Sequence, residues 1–62
     1  MPYGLKSASN GFIEIVLVRN LESPQYEVRL YTFDAPYEHW TLISTDSLND
    51  AEKIYRAWVI RM

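Results

Sequence analysis

The chain has 62 residues, of which 48% are hydrophobic and 23% charged, with a formal net charge of −2 and no cysteine. This composition is typical of a folded globular domain and excludes a disordered tail. The slight acidic excess argues against nucleic-acid binding driven by bulk positive charge, and the lack of cysteine excludes disulfides and thiolate metal sites. A domain this small buries only about 60% of the surface that its unfolded chain exposes, so its stability is marginal.

The first ten residues combine proline, glycine and small polar residues without periodicity, and they lack the apolar segment of a signal peptide. No later run approaches the roughly 20 apolar residues of a membrane span. We therefore expect a cytoplasmic protein without membrane association. The predicted organisation is a single domain over residues 1–62, with 1–10 as an irregular lead-in, 11–45 as a sheet and 47–62 as a helix.

The strongest strand signal covers residues 12–19, which are mostly β-branched or aliphatic. This stretch is apolar on both faces. One parity holds Ile13, Ile15 and Leu17. The other holds Phe12, Glu14, Val16 and Val18. Whichever set faces the core, the second set also needs cover.

Two more strands are predicted, over residues 25–33 and 37–45. The first of them alternates cleanly between apolar and polar side chains, which is typical of a half-buried antiparallel strand. Pro24 and Pro36 mark the breaks around it, because proline cannot donate to a strand ladder. Short connections favour a three-stranded meander with the 12–19 strand at an edge.

The C-terminal segment predicts an amphipathic helix. Ser47 can cap its N-terminus, and Glu52 with Arg56 forms an i,i+4 ion pair. Apolar residues recur at helical spacing and form one stripe: Leu48, Ala51, Ile54, Tyr55, Trp58, Val59 and Met62. The fold class predicted is therefore α+β, a three-stranded antiparallel β-meander with one C-terminal α-helix packed on one face.

Few residues suggest chemistry. His39 is the single histidine, near Asp34 and Glu38, but catalysis needs a nucleophile, a base and an orienting group that converge, and a metal site needs three or four ligands. The hydroxyl and carboxylate residues at 44–47 are explained by the start of the helix, where four N–H groups lack partners. We expect no enzyme activity, no cofactor, no metal site and no small-molecule substrate.

The apolar surplus of the sheet predicts a partner-binding surface. If the helix covers one face, the opposite face displays six apolar residues: Phe12, Val16, Val18, Tyr31, Phe33 and Ile43. A patch of this kind on a small protein usually marks an interaction site, and an apolar edge strand invites pairing with a second chain. We therefore expect a protein partner or a homodimer formed through the open sheet face or the edge strand.

In size and acidity the chain resembles the small inhibitors and accessory proteins that phages and mobile elements encode. That resemblance implies an interaction module that acts by binding a macromolecular target. The alternative is a nucleic-acid-binding domain that uses the sheet, its aromatic residues, and Arg19 and Arg29. The acidic residues of the same region oppose it, although they could themselves imitate phosphates.

Overall fold

The computed structural model describes the backbone of residues 3–62 and the side chains in that range except those of Tyr3 and Pro36. The elements are β1 (Tyr3–Ser9), β2 (Ile13–Arg19), β3 (Tyr26–Thr32), β4 (Ala35–Thr45) and α1 (Leu48–Arg61). The strands form one antiparallel sheet in the order β1-β2-β3-β4. The predicted α+β class is confirmed, as are the helix and three of the strands.

The prediction of three strands was wrong, because residues 3–9 of the expected lead-in form β1. Their glycine, serine, alanine and lysine have weak strand preference, and it is pairing with β2 that holds them extended. The predicted position of the 12–19 strand at an edge was wrong for the same reason, since β2 lies between β1 and β3. Residues 1–2 of the lead-in lie outside the described residues.

The β1–β2 turn is built by Asn10 and Gly11. The Asn10 side-chain oxygen accepts hydrogen bonds from the backbone N–H groups of Phe12 at 2.9 Å and Ile13 at 3.0 Å. Gly11 has a φ of 93°, which glycine adopts without steric cost. The Phe33 N–H donates to the Phe12 carbonyl at 3.2 Å, so the β1–β2 and β3–β4 turns lie side by side at one end of the sheet.

The core lies between the sheet and α1. Ile15, Leu17 and Val28 are fully buried, and Ala51 and Tyr55 of the helix pack on them. The Ser47 hydroxyl accepts from the Asp50 N–H at 3.2 Å, which confirms the predicted N-cap. The predicted Glu52–Arg56 pair is also present, at 3.2 Å. No helix in the described part of the chain has the length and apolar character that crossing a membrane requires.

Register irregularities in β4 change the expected faces. Ile43 is paired with Val28 and Thr41 with Arg29, so Leu42 is an extra residue in the ladder. From Ile43 onwards, the β4 side chains therefore lie on the face opposite to the one that regular alternation from Thr41 would give. Ile43 therefore packs against the core beneath the helix, and the prediction that placed it on the opposite face was wrong.

Candidate interaction surface

The sheet face that α1 does not cover, here called the open face, has a polar centre. Glu27 of β3 is only 8% exposed. One of its carboxylate oxygens accepts from Arg29 Nη2 at 3.0 Å, and the other accepts from the Thr41 hydroxyl at 2.6 Å. His39 Nε2 lies 3.6 Å from the same carboxylate, and the Asn20 amide donates to it at 3.5 Å. The Glu27 carboxylate is thus satisfied by neighbouring side chains, whereas Arg29 Nε is buried without a hydrogen-bond partner among the groups that the structure describes.

The hydrogen bonds decide the ionisation of Glu27. Burial alone would raise the pKa of this carboxyl, but the bonds from Arg29, Thr41 and Asn20 and the charge of Arg29 together hold the pKa below its usual value of 4.5. The Arg29 pKa is raised, chiefly by its bond to Glu27. Near neutral pH this pair is therefore an ion pair. A lone buried carboxyl would instead favour its neutral form.

The network continues to the β3–β4 end of the face. Arg29 Nη1 donates to the Tyr31 hydroxyl at 3.4 Å, and the Tyr31 and His39 rings lie 5.3 Å apart between centroids with a tilt of 43°. Arg29, which the nucleic-acid alternative assigned to a phosphate, already pairs with Glu27. Beside β1 a shallow depression of about 290 Å³ brings Lys6, Ser7 and Glu14 to its wall without a convergent set of ligand groups.

The structure separates the six residues predicted to bind a partner. Ile43 lies on the helix side of the sheet. Val18 pairs with Gly4 of β1 and with Glu27 of β3, so it lies on the open face, but it is only 6% exposed. Val16 and Tyr31 are half-buried on the same face. Phe12 and Phe33 are exposed and are brought together by their backbone hydrogen bond.

The exposed aromatic side chains lie at the turn end of the sheet, on β4 and on the margin of α1. Phe12 is 79% exposed, Phe33 53%, Tyr37 97%, Trp40 58% and Trp58 38%. We call these five residues, together with the outer edge of β4, the β4 border. The other large exposed apolar side chains of the described residues are aliphatic and lie apart on β1, the β2–β3 loop and the two ends of α1: Leu5, Leu21, Leu48 and Ile60.

Trp40 and Trp58 lie on the same side of the sheet. Trp40 pairs with Leu30, which packs against the core, so Trp40 is on the helix side. On α1, Glu52 reaches Lys6 of β1 at 3.6 Å, and Tyr55, about 60° further round the helix, is buried. Trp58 is turned a further 60° or so in the same direction, towards β4.

The two tryptophans also lie at a similar height. Glu52 contacts Lys6 of β1. The residues paired in succession across the sheet from Lys6 are Leu17, Val28 and, on β4, Ile43. Trp58 is six residues further along the helix, about 9 Å. Trp40 is the next β4 residue beyond Ile43 that faces the helix and pairs with a residue of β3, and it lies about 7 Å further along the sheet than Ile43. Both indoles therefore flank the β4 edge.

The six residues predicted to bind a protein partner did not include Tyr37, Trp40 or Trp58, although the nucleic-acid alternative used the aromatic residues of the sheet. Trp58 was assigned to the apolar stripe of the helix because its spacing fits that stripe. A sheet of only four short strands has too little width to bury every residue of such a stripe. Tyr37 lies in residues 36–38, between the β4 residues that pair with Thr32 and Tyr31, and this irregularity carries no signal in the sequence.

Among the described residues, no group of three or more His, Asp or Glu side chains is arranged to hold a metal ion. Comparisons of the chain with protein-family models, with curated proteins and with solved structures gave no significant match.

Proposed function

We propose that this protein is a protein-interaction module that binds its partner through the β4 border. The observation that carries the proposal is the concentration of exposed aromatic side chains beside an unpaired strand edge. Aromatic residues supply large contact area with little loss of side-chain freedom, and they are enriched where proteins bind one another. Such a surface on a small chain supports binding as the activity.

The open face contributes less to binding in this proposal than the sequence indicated. Its centre is a hydrogen-bonded ion pair, and covering it would remove Arg29 and His39 from the remaining water. Desolvating charged groups opposes association unless the partner supplies matching charges. At the β4 border, by contrast, the five exposed aromatic side chains are apolar or weakly polar, and Glu38 is the charged exposed residue of β4. Burying the aromatic side chains favours association.

Site-specific photo-crosslinking in cells that naturally produce the chain tests this proposal. A photoreactive phenylalanine analogue replaces Tyr37, which is 97% exposed within the β4 border, and in a matched control it replaces Ile60, which is 83% exposed on α1. We expect defined covalent protein adducts from position 37 and none from position 60. The adducts should weaken when Trp40→Gln is added to the position-37 protein.

Equal adduct patterns from the two positions would contradict the proposal, because exposure alone would then explain the crosslinks. Nucleic-acid adducts from position 37 would also contradict it. In that case the affinity for DNA or RNA should fall steeply with salt, as phosphate contacts require.

A further inference from the structure

The two edges of the sheet differ in how they are protected against pairing. The edge strand β1 has 7 residues and carries Lys6, which is bound to Glu52. A lysine on an edge strand is a common device against strand pairing. The edge strand β4 has 11 residues, and from His39 to Thr45 it carries no lysine, arginine, aspartate or glutamate. The β4 edge is therefore the more available of the two.

We infer that the β4 border takes a second copy of this chain, whose own β4 pairs antiparallel with it to form one continuous eight-stranded sheet. The inference rests on the proposed function, because it names the partner at the same surface. Pairing β4 with β4 gives a closed two-fold dimer. Pairing β4 with β1 would be head-to-tail and would continue into a filament, and Lys6 opposes it.

The bulge at Leu42 permits one particular register in which Trp40 of one copy lies opposite Ile43 of the other. Trp40 and Ile43 both lie on the helix side, although their odd spacing would place them on opposite faces of a regular strand. An antiparallel pairing that sets Trp40 of one copy opposite Ile43 of the other also sets His39 opposite Ser44. His39 and Ser44 both lie on the open face, since they pair with Tyr31 and Glu27. Side chains on the same face of the sheet thus lie opposite one another across the boundary between the two β4 strands, which we call the seam.

Charge does not oppose the seam within His39–Ser44, and the acidic residues Glu38 and Asp46 lie just outside that segment. The residues that meet in this register carry no acidic or permanently basic side chain from His39 to Ser44, so no like charges lie directly opposite one another. The net charge of −2 per chain adds only weak long-range repulsion, which salt screens.

The space above the seam fits the exposed tryptophans. The helix packs on β2, β3 and β4, so its axis lies near β3. With neighbouring strands about 4.8 Å apart, the two helix axes would be about 14 Å apart across the seam. Helices in direct contact lie 8–10 Å apart, so a gap remains between them. Trp40 and Trp58 of both copies border that gap, and their exposed surface would become buried there.

Analytical ultracentrifugation of the purified full chain over a concentration series tests the inference. We expect a reversible dimer. Ser44→Lys, which introduces a lysine on the open face of the β4 edge, should raise the dimer dissociation constant about tenfold or more. The matched control Ser7→Lys places the same side chain on the open face of the β1 edge and should leave the dissociation constant unchanged. Circular dichroism verifies that both variants stay folded.

Disulfide trapping supplies a second measurement that does not depend on weakening the dimer. The natural chain has no cysteine. Mixing His39→Cys chains with Ser44→Cys chains should yield an oxidised heterodimer, because residues directly opposite in antiparallel strands approach disulfide distance. Ser7→Cys in place of Ser44→Cys should yield none.

Three results would overturn the inference: a strict monomer at all concentrations, equal weakening by Ser44→Lys and Ser7→Lys, or trapping as efficient through position 7 as through position 44. If the chain is a monomer but position 37 still crosslinks to a different protein, the second copy is wrong and the proposed function stands. If position 37 crosslinks to nothing, both fail.

Discussion

On the face of the sheet that α1 covers, the central side chains are Ile15, Leu17 and Val28, and they are fully buried by the helix. On the open face the central side chain is Glu27, which is 8% exposed although no second layer lies over it. Its cover comes from neighbouring side chains of the same sheet, Arg29 and Thr41 among them. A small sheet can therefore close one face with a helix and the other with hydrogen bonds.

This difference explains where the remaining apolar surface lies. The helix is one element wide and leaves the side chains at its margin partly exposed, as Trp58 shows. The open face needs no apolar cover at its centre, because the Glu27 carboxylate there is hydrogen-bonded to neighbouring side chains. The surplus of aromatic residues is consequently found at the β4 border, outside both faces.

The largest expected effect is a difference in the free energy of unfolding between alanine variants of two neighbouring residues of β2. Leu17→Ala should lower the free energy of unfolding by about 3 kcal/mol, because a fully buried leucine leaves a cavity. Val16→Ala, at a half-buried position on the open face, should cost less than about 1 kcal/mol. Urea unfolding followed by circular dichroism measures both. Similar losses for the two variants would mean that the open face is covered by an apolar layer.

A smaller effect is expected from breaking the polar centre. Glu27→Ala removes the carboxylate and leaves the half-buried Arg29 without its ion-pair partner, which should cost about 2 kcal/mol. The control Glu14→Ala, on the same face one strand away, should change stability by about 0.5 kcal/mol or less. Chemical denaturation of the two variants at neutral pH compares them. If Glu14→Ala costs as much as Glu27→Ala, the network does not hold the face together.

The hydrogen-bonded Glu27 carboxylate at the centre of the open face predicts that the free energy of unfolding depends on pH. Hydrogen bonds hold the pKa of Glu27 below 4.5, and those from Ser23 and the Gln25 N–H hold the pKa of Asp46 below 3.8. Both groups bind protons more tightly when unfolded, so their stabilisation is full above these values and is lost as pH falls through the folded pKa values. Unfolding free energies measured from pH 6 down to about pH 2 should fall less steeply for Glu27→Gln than for the natural chain. A parallel fall in the two proteins would contradict the assignment.

The smallest expected effect on the folded chain is at the β4 border. Trp40→Gln should change the stability of the monomer by less than about 1 kcal/mol, since the side chain is 58% exposed. The same substitution should weaken self-association. Thermal unfolding at low concentration and sedimentation at high concentration separate the two effects. A monomer that loses several kcal/mol would place Trp40 in the core.

The sequence predicted those parts of the fold that local chemistry determines. Periodicity identified three strands and the helix, and Ser47 caps the helix as its hydroxyl favours. It did not predict β1, whose extended state depends on pairing with β2. Nor did it predict the bulge at Leu42, which moved Ile43 to the core side.

The candidate surface was predicted only in part. Phe12 and Phe33 are exposed and adjacent, as expected of contact residues. The sequence did not indicate that Glu27, Arg29, Thr41 and His39 would converge, because they come from two strands whose register only the bulged pairing fixes. Binding by these residues or by the β4 border stays a prediction until it is measured.

The two tryptophan indole N–H resonances test the β4 border most directly, because the chain contains only two tryptophans and both border β4. NMR spectra recorded over a dilution series at neutral pH follow them together with the backbone amides. We predict that Trp40, Trp58 and the β4 amides shift with concentration while Ser7 and Val16 stay constant. Constant indole signals, or shifts confined to Ser7 and Val16, would contradict the claim that the β4 border is the interaction surface.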